Sequence, residues 1–190
     1  MQDITCSGVK DKWILDRVDA ILQHPIFAEK LNRTIDLERD RVFCGHGMDH
    51  LLDVARITYI LYLESNHASL SAISEQAEKR GFRNSNLAKE QVYAAAFLHD
   101  IGRARQYEDG TPHEIESAAL ATPILVDCGF DASECALIID AILSHRAEGA
   151  VPETWLATLL QRADKLSRHC TDCAASNECK WELKNGQLGY

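Results

Sequence analysis

The chain has 190 residues, 46% hydrophobic and 26% charged, with four prolines and ten glycines. This is the composition of one ordinary globular domain, not of a fibrous, linker-rich or disordered chain. Its 29 acidic against 20 basic residues leave a net charge of −9, which argues against a nucleic-acid polymer bound by phosphate neutralisation. No apolar run approaches the roughly 18 residues that span a bilayer, and no basic-then-apolar segment opens the sequence. With seven cysteines, an odd number, the expectation is a cytoplasmic protein with reduced thiols and no membrane partner.

Helical periodicity dominates, so the expected class is all-α, with one domain over 1–169 and a cysteine-bearing tail over 170–190. Ile14, Val18, Ile21 and Leu22 form a first apolar stripe. Pro25 then suits the first turn of a second helix carrying Phe27, Leu31 and Ile35 inward. An exposed apolar face on these two helices would permit a homodimer. A third helix runs from Asp49 to about Glu64, with Leu51, Leu52, Ala55, Thr58 and Leu61 on one face. A fourth spans Ser69 to Arg80 and ends at Gly81. Leu87 to about Ile101 is alanine-rich and apolar, closed by Gly102.

Three later starts carry their own signals. Thr111-Pro112-His113-Glu114 reads as a capping box with proline at the first helical position, and Asp131 with Glu134 reads as another. Pro152 is expected to open a last helix with Trp155, Leu156, Leu159, Leu160, Ala163 and Leu166 inward. His24 and His67 read as surface residues.

Against this apolar background, three polar positions stand out. His99-Asp100 ends a helix whose preceding residues, Val92 to Leu98, are almost all apolar. Asp164 falls on the inward stripe of the last helix, and His50 opens another apolar helix beside Leu51 and Leu52. Buried imidazoles and carboxylates require hydrogen-bond partners or a cation. A His-Asp helix cap and an Asp164–Arg168 surface pair are the plainer uses of these residues. Together, two imidazoles and two carboxylates on three helices suit a divalent metal, with Fe, Mn, Co, Ni, Zn and Mg not distinguished.

His50, then His99-Asp100-Ile101-Gly102, then Ala163-Asp164-Lys165 resemble the HD-domain metal-dependent phosphohydrolase superfamily over about residues 45–170. The resemblance implies an all-α HD bundle in which ligands from separate helices converge on the metal. Two features depart from the family pattern: Asp53 stands where arginine is usual, and Arg103 where lysine is frequent. His113 and His145 extend the likeness to two-metal members, among them bacterial diadenosine tetraphosphate hydrolases of the HD type. By that likeness Asp100 is the bridging, catalytic carboxylate, and His113 and His145 hold a second ion. Their plainer readings are a phosphate-contacting histidine and a solvated helix-end histidine.

The implied activity is hydrolysis of a phosphoester or phosphoanhydride in a nucleotide or other small phosphorylated metabolite, by water that the metal activates. Arg103, Arg105, Arg146, Lys165 and Arg168 are the cations placed to clamp phosphate, with Arg103 and Lys165 foremost. The helix start at Thr111 could add backbone donors for an anion. His46, between Gly45 and Gly47, is expected on a loop, contacting substrate or supporting the ligands. The alternatives are a diiron oxygenase of the same superfamily and a metal-binding module that senses or docks a partner without turnover. Separately, Cys170, Cys173 and Cys179 are spaced as three soft-metal or cluster ligands, with His169 or Cys44 as a fourth. Reduced thiols in a tail are the plainer reading.

Overall fold

The computed structural model describes residues 15–66, 88–146, 154–170 and 173–179. Those residues form eight helices and no strand, the expected all-α class. In chain order they are α1 (Asp16–Gln23), α2 (Pro25–Leu37), α3 (Met48–Asn66) and α4 (Lys89–Leu98), then α5 (Arg103–Asp109), α6 (His113–Asp127), α7 (Ala132–Ser144) and α8 (Trp155–Leu166).

Local chemistry sets several of the starts. Pro25 occupies the first turn of α2, and the His24 ring, far from being an idle surface group, caps that helix by accepting from Ile26 N at 3.2 Å. Asp131 Oδ1 accepts from Ser133 N and Glu134 N while Glu134 Oε2 accepts from Asp131 N, completing the expected capping box of α7. Thr154 caps α8 by accepting from Ala157 N. The expected capping box at Thr111 does not form. Asp109 Oδ1 takes both the Thr111 hydroxyl and its N–H, and Pro112 sits at the cap position itself.

α4 is the buried axis of the fold. It packs on α3 and α7 and also touches α1, α6 and α8, while α3 and α7 both pack on α8. Val92, Ala94, Ala95, Ala96 and Leu98 are wholly buried on it, and the small alanines let neighbouring helices approach. The facing layers come from Leu51, Val54 and Leu61 on α3, Ile138 and Ile142 on α7, and Leu156 and Leu160 on α8.

Two further expectations change. Ile35 is 45% exposed, and Thr34 takes the buried position, its hydroxyl donating to the Lys30 carbonyl. The apolar helix ends at Leu98 rather than near Ile101, and Gly102 instead precedes α5, a short helix without an apolar stripe in which only Ala104 is buried. Ser69 to Arg80, Leu87, His67 and Pro152 lie outside the described residues.

Candidate metal centre

The ends of α4 and α7 deliver two histidines by the same local device. His99 and His145 each sit one residue past the helix end, and each ring folds back so that Nδ1 donates at 2.6 Å to the carbonyl three residues earlier, Ala96 and Ile142. Those carbonyls belong to the last turn, where intrahelical partners run out. A carbonyl can only accept, so Nδ1 carries the proton and Nε2 presents a lone pair.

The other two histidines are oriented by side chains. His113, in the first turn of α6, places Nδ1 2.7 Å from Gln106 Oε1. His50, in the first turn of α3, places Nδ1 3.2 Å from Ser167 Oγ, whose hydroxyl donates to the Asp164 carbonyl and therefore accepts from the ring. All four imidazoles thus turn Nε2 toward one carboxylate.

That carboxylate is Asp100. Its Oδ2 lies 3.5 Å from His50 Nε2 and 3.4 Å from His99 Nε2. Its Oδ1 lies 3.0 Å from His113 Nε2 and 3.9 Å from His145 Nε2, and the latter two nitrogens are 3.1 Å apart. Two ligand-type groups result, His50–His99–Asp100 and Asp100–His113–His145, each gathered within 4.8 Å and sharing Asp100. Asp164 joins the first from α8, with Oδ1 3.6 Å from His50 Nε2.

Electrostatics separate the roles. Burial pushes the Asp100 carboxyl up, but His99, Arg103, His113 and His50 outweigh it and hold Asp100 well below the usual carboxylate range. Burial pushes His99, His113 and His145 down, His145 to about 4 with the nearby His99 adding to the effect. Neutral imidazole is the ligating form. For His50 burial is outweighed by Asp100 and Asp164, and its pKa rises.

A divalent ion fits these residues on their own chemistry. His50 Nε2 and His99 Nε2 are buried without a hydrogen-bond partner. The lone pairs of His113 and His145 face each other and an ionised carboxylate oxygen, an arrangement that is repulsive until a cation stands among them.

The centre opens on one side to a cleft of about 1070 Å³, with His50, Asp164 and His145 at its wall. His99, Asp100 and His113 lie behind them, 0–3% exposed. Arg103, Arg146, Lys165 and Arg168 line the cleft. Arg105 does not: it pairs with Asp109 at 2.5 Å and borders a separate surface groove.

His46 stands on the loop before α3 and lines the cleft, its ring 5.4 Å from that of His50. Glu38 holds it, accepting from His46 N at 2.7 Å and lying 2.5 Å from His46 Nδ1. Ser167, Gln106 and Glu38, the residues that orient the histidines, carry no signal in the sequence, because nothing local distinguishes them from solvated polar residues. Cys44, Cys173 and Cys179 line the same cleft, but among the described residues no three cysteine sulfurs lie within 4.8 Å of one another. His169 is engaged elsewhere, with Nε2 2.8 Å from Asp53 Oδ2.

Residues 47–169 match the family described as HD domain. A protein of Clostridium beijerinckii, described as uncharacterized, is 39% identical over 178 residues, covering 93% of this chain and 100% of that protein. A crystal structure of a predicted HD superfamily hydrolase from an uncultured Thermotogales bacterium is 27% identical, with a TM-score of 0.48, covering 75% of this chain and 68% of that one.

Proposed function

The chain belongs to the HD-domain family, and on that footing we propose that it is a metal-dependent phosphohydrolase acting on a nucleotide or another small phosphorylated metabolite. The observation that carries the reading is the sharing of Asp100: each of its two oxygens faces a different pair of histidine nitrogens. His50, His99, Asp100 and Asp164 would hold one ion, and Asp100, His113 and His145 a second. When bound, such ions acidify water and neutralise charge developing on phosphoryl oxygens.

The protein's own contribution is positional and electrostatic. The Nδ1 contacts to Ala96, Ile142, Gln106 and Ser167 fix the ring orientations before any ligand arrives, which lowers the cost of organising the site. Arg146, Lys165 and Arg168 bring positive charge to a cleft in an otherwise acidic chain, so a small anionic substrate is drawn to one place on the surface. His46 faces the same space and contacts substrate from the loop side. A buried centre reached through a cleft also favours a small substrate over a nucleic-acid polymer.

The test is turnover by protein loaded in turn with Mg, Mn, Fe, Co, Ni or Zn. The panel comprises nucleoside mono-, di- and triphosphates, a dinucleoside tetraphosphate, a sugar phosphate and a chromogenic aryl phosphate. Metal-dependent release of phosphate or nucleotide is expected, falling at least about a thousandfold in Asp100→Ala with helicity retained. Elemental analysis should find two ions in the parent, one in His145→Ala and none at this centre in Asp100→Ala. Absence of turnover with every metal and substrate overturns the hydrolase reading, and iron-dependent oxygen uptake would replace it with an oxygenase.

A further inference from the structure

The cleft outside the metal centre, about 1070 Å³, is the size of a site for a whole small molecule, not for a phosphoryl group alone. The character of its wall changes with the element that supplies it. The end of α7, the last turn of α8 and the segment after it bring Arg146, Lys165 and Arg168. The loop between α2 and α3 brings Val42 and Phe43, 66% and 43% exposed. Single exposed apolar residues are ordinary on a protein surface. These two are neighbours in the chain, and the loop is tied on both sides of them. Arg41 N donates to the Glu38 carbonyl at 2.9 Å, and Arg41 Nε to the Cys44 carbonyl at 2.8 Å. Glu38 Oε2 accepts from His46 N at 2.7 Å, so the loop doubles back on a carboxylate that is only 7% exposed.

We propose that Val42 and Phe43 are specificity-determining residues: they form a subsite on which the flat face of a nucleobase rests while the phosphate of the same molecule reaches the metal centre. The subsite presupposes the phosphohydrolase reading and narrows its substrate class to nucleotides over sugar phosphates. Distance permits the arrangement. Phe43 is three residues from His46, so their backbones lie at most about 10 Å apart. The His46 ring in turn stands 5.4 Å from that of His50, one of the ligand-type residues.

A nucleotide complements both kinds of wall at once. Its phosphate is the anion that Arg146, Lys165 and Arg168 attract, and its base offers a π-face and apolar area to Phe43 and Val42. A sugar phosphate would instead turn hydroxyl groups toward two side chains that cannot hydrogen-bond them. The Tyr107 ring lines the same cleft, fixed by its hydroxyl donating to Glu38, and adds a second aromatic surface. Because the loop is already held by Glu38 and Arg41, little ordering remains to be done when a base arrives. Stacking of this kind tolerates any base, so the subsite selects for a nucleobase without choosing among them.

The test reads binding rather than turnover. The full chain loaded with Mn(II) is titrated calorimetrically with two uncleavable phosphonates, those of adenosine 5′-monophosphate and of ribose 5-phosphate, each with CH2 in place of the ester oxygen. The two probes share phosphonate and ribose and differ only in the base. The adenosine compound should bind more tightly by about tenfold or more, the scale of one base–aromatic contact. Phe43→Ala should close most of that gap. Phe43 is exposed at the surface, and metal content with circular dichroism confirms that the variant is folded. Equal affinity of the parent for the two probes overturns the subsite, as does a gap that survives in Val42→Ala/Phe43→Ala. A parent dimer that the double substitution converts to monomer also overturns it, by assigning this loop to a second copy of the chain. A loaded chain that binds neither probe refutes the phosphohydrolase reading itself, whereas equal binding of both strikes only the subsite.

Discussion

The Arg103 guanidinium bridges both oxygens of Asp100, with Nη2 3.0 Å from each. The two residues are joined by one tight turn: Arg103 N donates to the Asp100 carbonyl at 3.0 Å as α5 begins. The same carboxylate therefore faces four imidazoles and one guanidinium. Arg103 helps keep Asp100 ionised, and it also competes for the oxygens that an ion would take.

Arg103→Gln should accordingly bind the first divalent ion more tightly, by up to about tenfold, the scale of one relieved charge contact near 1.4 kcal/mol. Turnover should fall, because a cation at the cleft is lost. Calorimetric titration with Mn(II) and steady-state kinetics separate the two effects. Weaker metal binding in the variant would show instead that Arg103 orients the carboxylate.

Ser167→Ala removes the oxygen that accepts from His50 Nδ1, and Gln106→Leu does the same for His113. Neither residue is placed as a ligand. Each substitution should lower metal affinity by about 10–100-fold, the usual cost of losing the group that orients a ligating histidine. Thermal stability should change far less. Equal metal affinity in parent and variants would mean that the rings are fixed by packing alone.

Gly102 has no room for a side chain. A Cβ there would stand 2.5 Å from Ser117 N, 2.6 Å from the His113 carbonyl and 2.8 Å from Glu116 Cβ. Two of these are backbone atoms of α6, so the His99-Asp100 turn and the helix carrying His113 must separate. Gly102→Ala should destabilise by about 2–4 kcal/mol and weaken metal binding even where the protein stays folded. Chemical denaturation followed by metal titration at low temperature checks both. An unchanged unfolding midpoint would contradict the close approach.

Glu38 predicts an acid-sensitive element. Burial pushes its carboxyl up, but His46 and Tyr107 outweigh this and hold it at about 2, while Tyr107 is pushed up to about 12, by burial and then by Glu38. Because the folded value lies below the ordinary 4.5, the stabilisation is complete above that value and is lost as pH falls from 4.5 toward 2. Glu38→Gln should cost about 1–3 kcal/mol at neutral pH and flatten the acid limb of the stability curve. Parallel acid limbs in parent and variant would refute the coupling.

Four of the six ligand-type residues are legible in the sequence because each breaks an apolar pattern: His99-Asp100 after Val92 to Leu98, Asp164 on an inward stripe, His50 beside Leu51-Leu52, whereas His113 and His145 enter the set only through the family resemblance. Burial cost makes such exceptions conspicuous, and hydrophobic periodicity is a property of the chain itself. The start of α7 was equally plain, since Asp131 and Glu134 are three residues apart and their bonds are local.

What only the tertiary structure decided is which residues support that set and how the pieces divide it. Ser167 meets His50 and Glu38 meets Tyr107 across long stretches of chain, and a polar residue carries no mark of a distant partner. α5 was invisible because seven residues with one buried alanine have no period to read. Thr34 displaced Ile35 from the interior because helix rotation is set by the neighbours that α2 packs against, not by α2 alone. Even Asp100 was read only by resemblance as a shared ligand. That His50 and His99 face one of its oxygens while His113 and His145 face the other follows from how α3, α4, α6 and α7 pack around a single buried carboxylate.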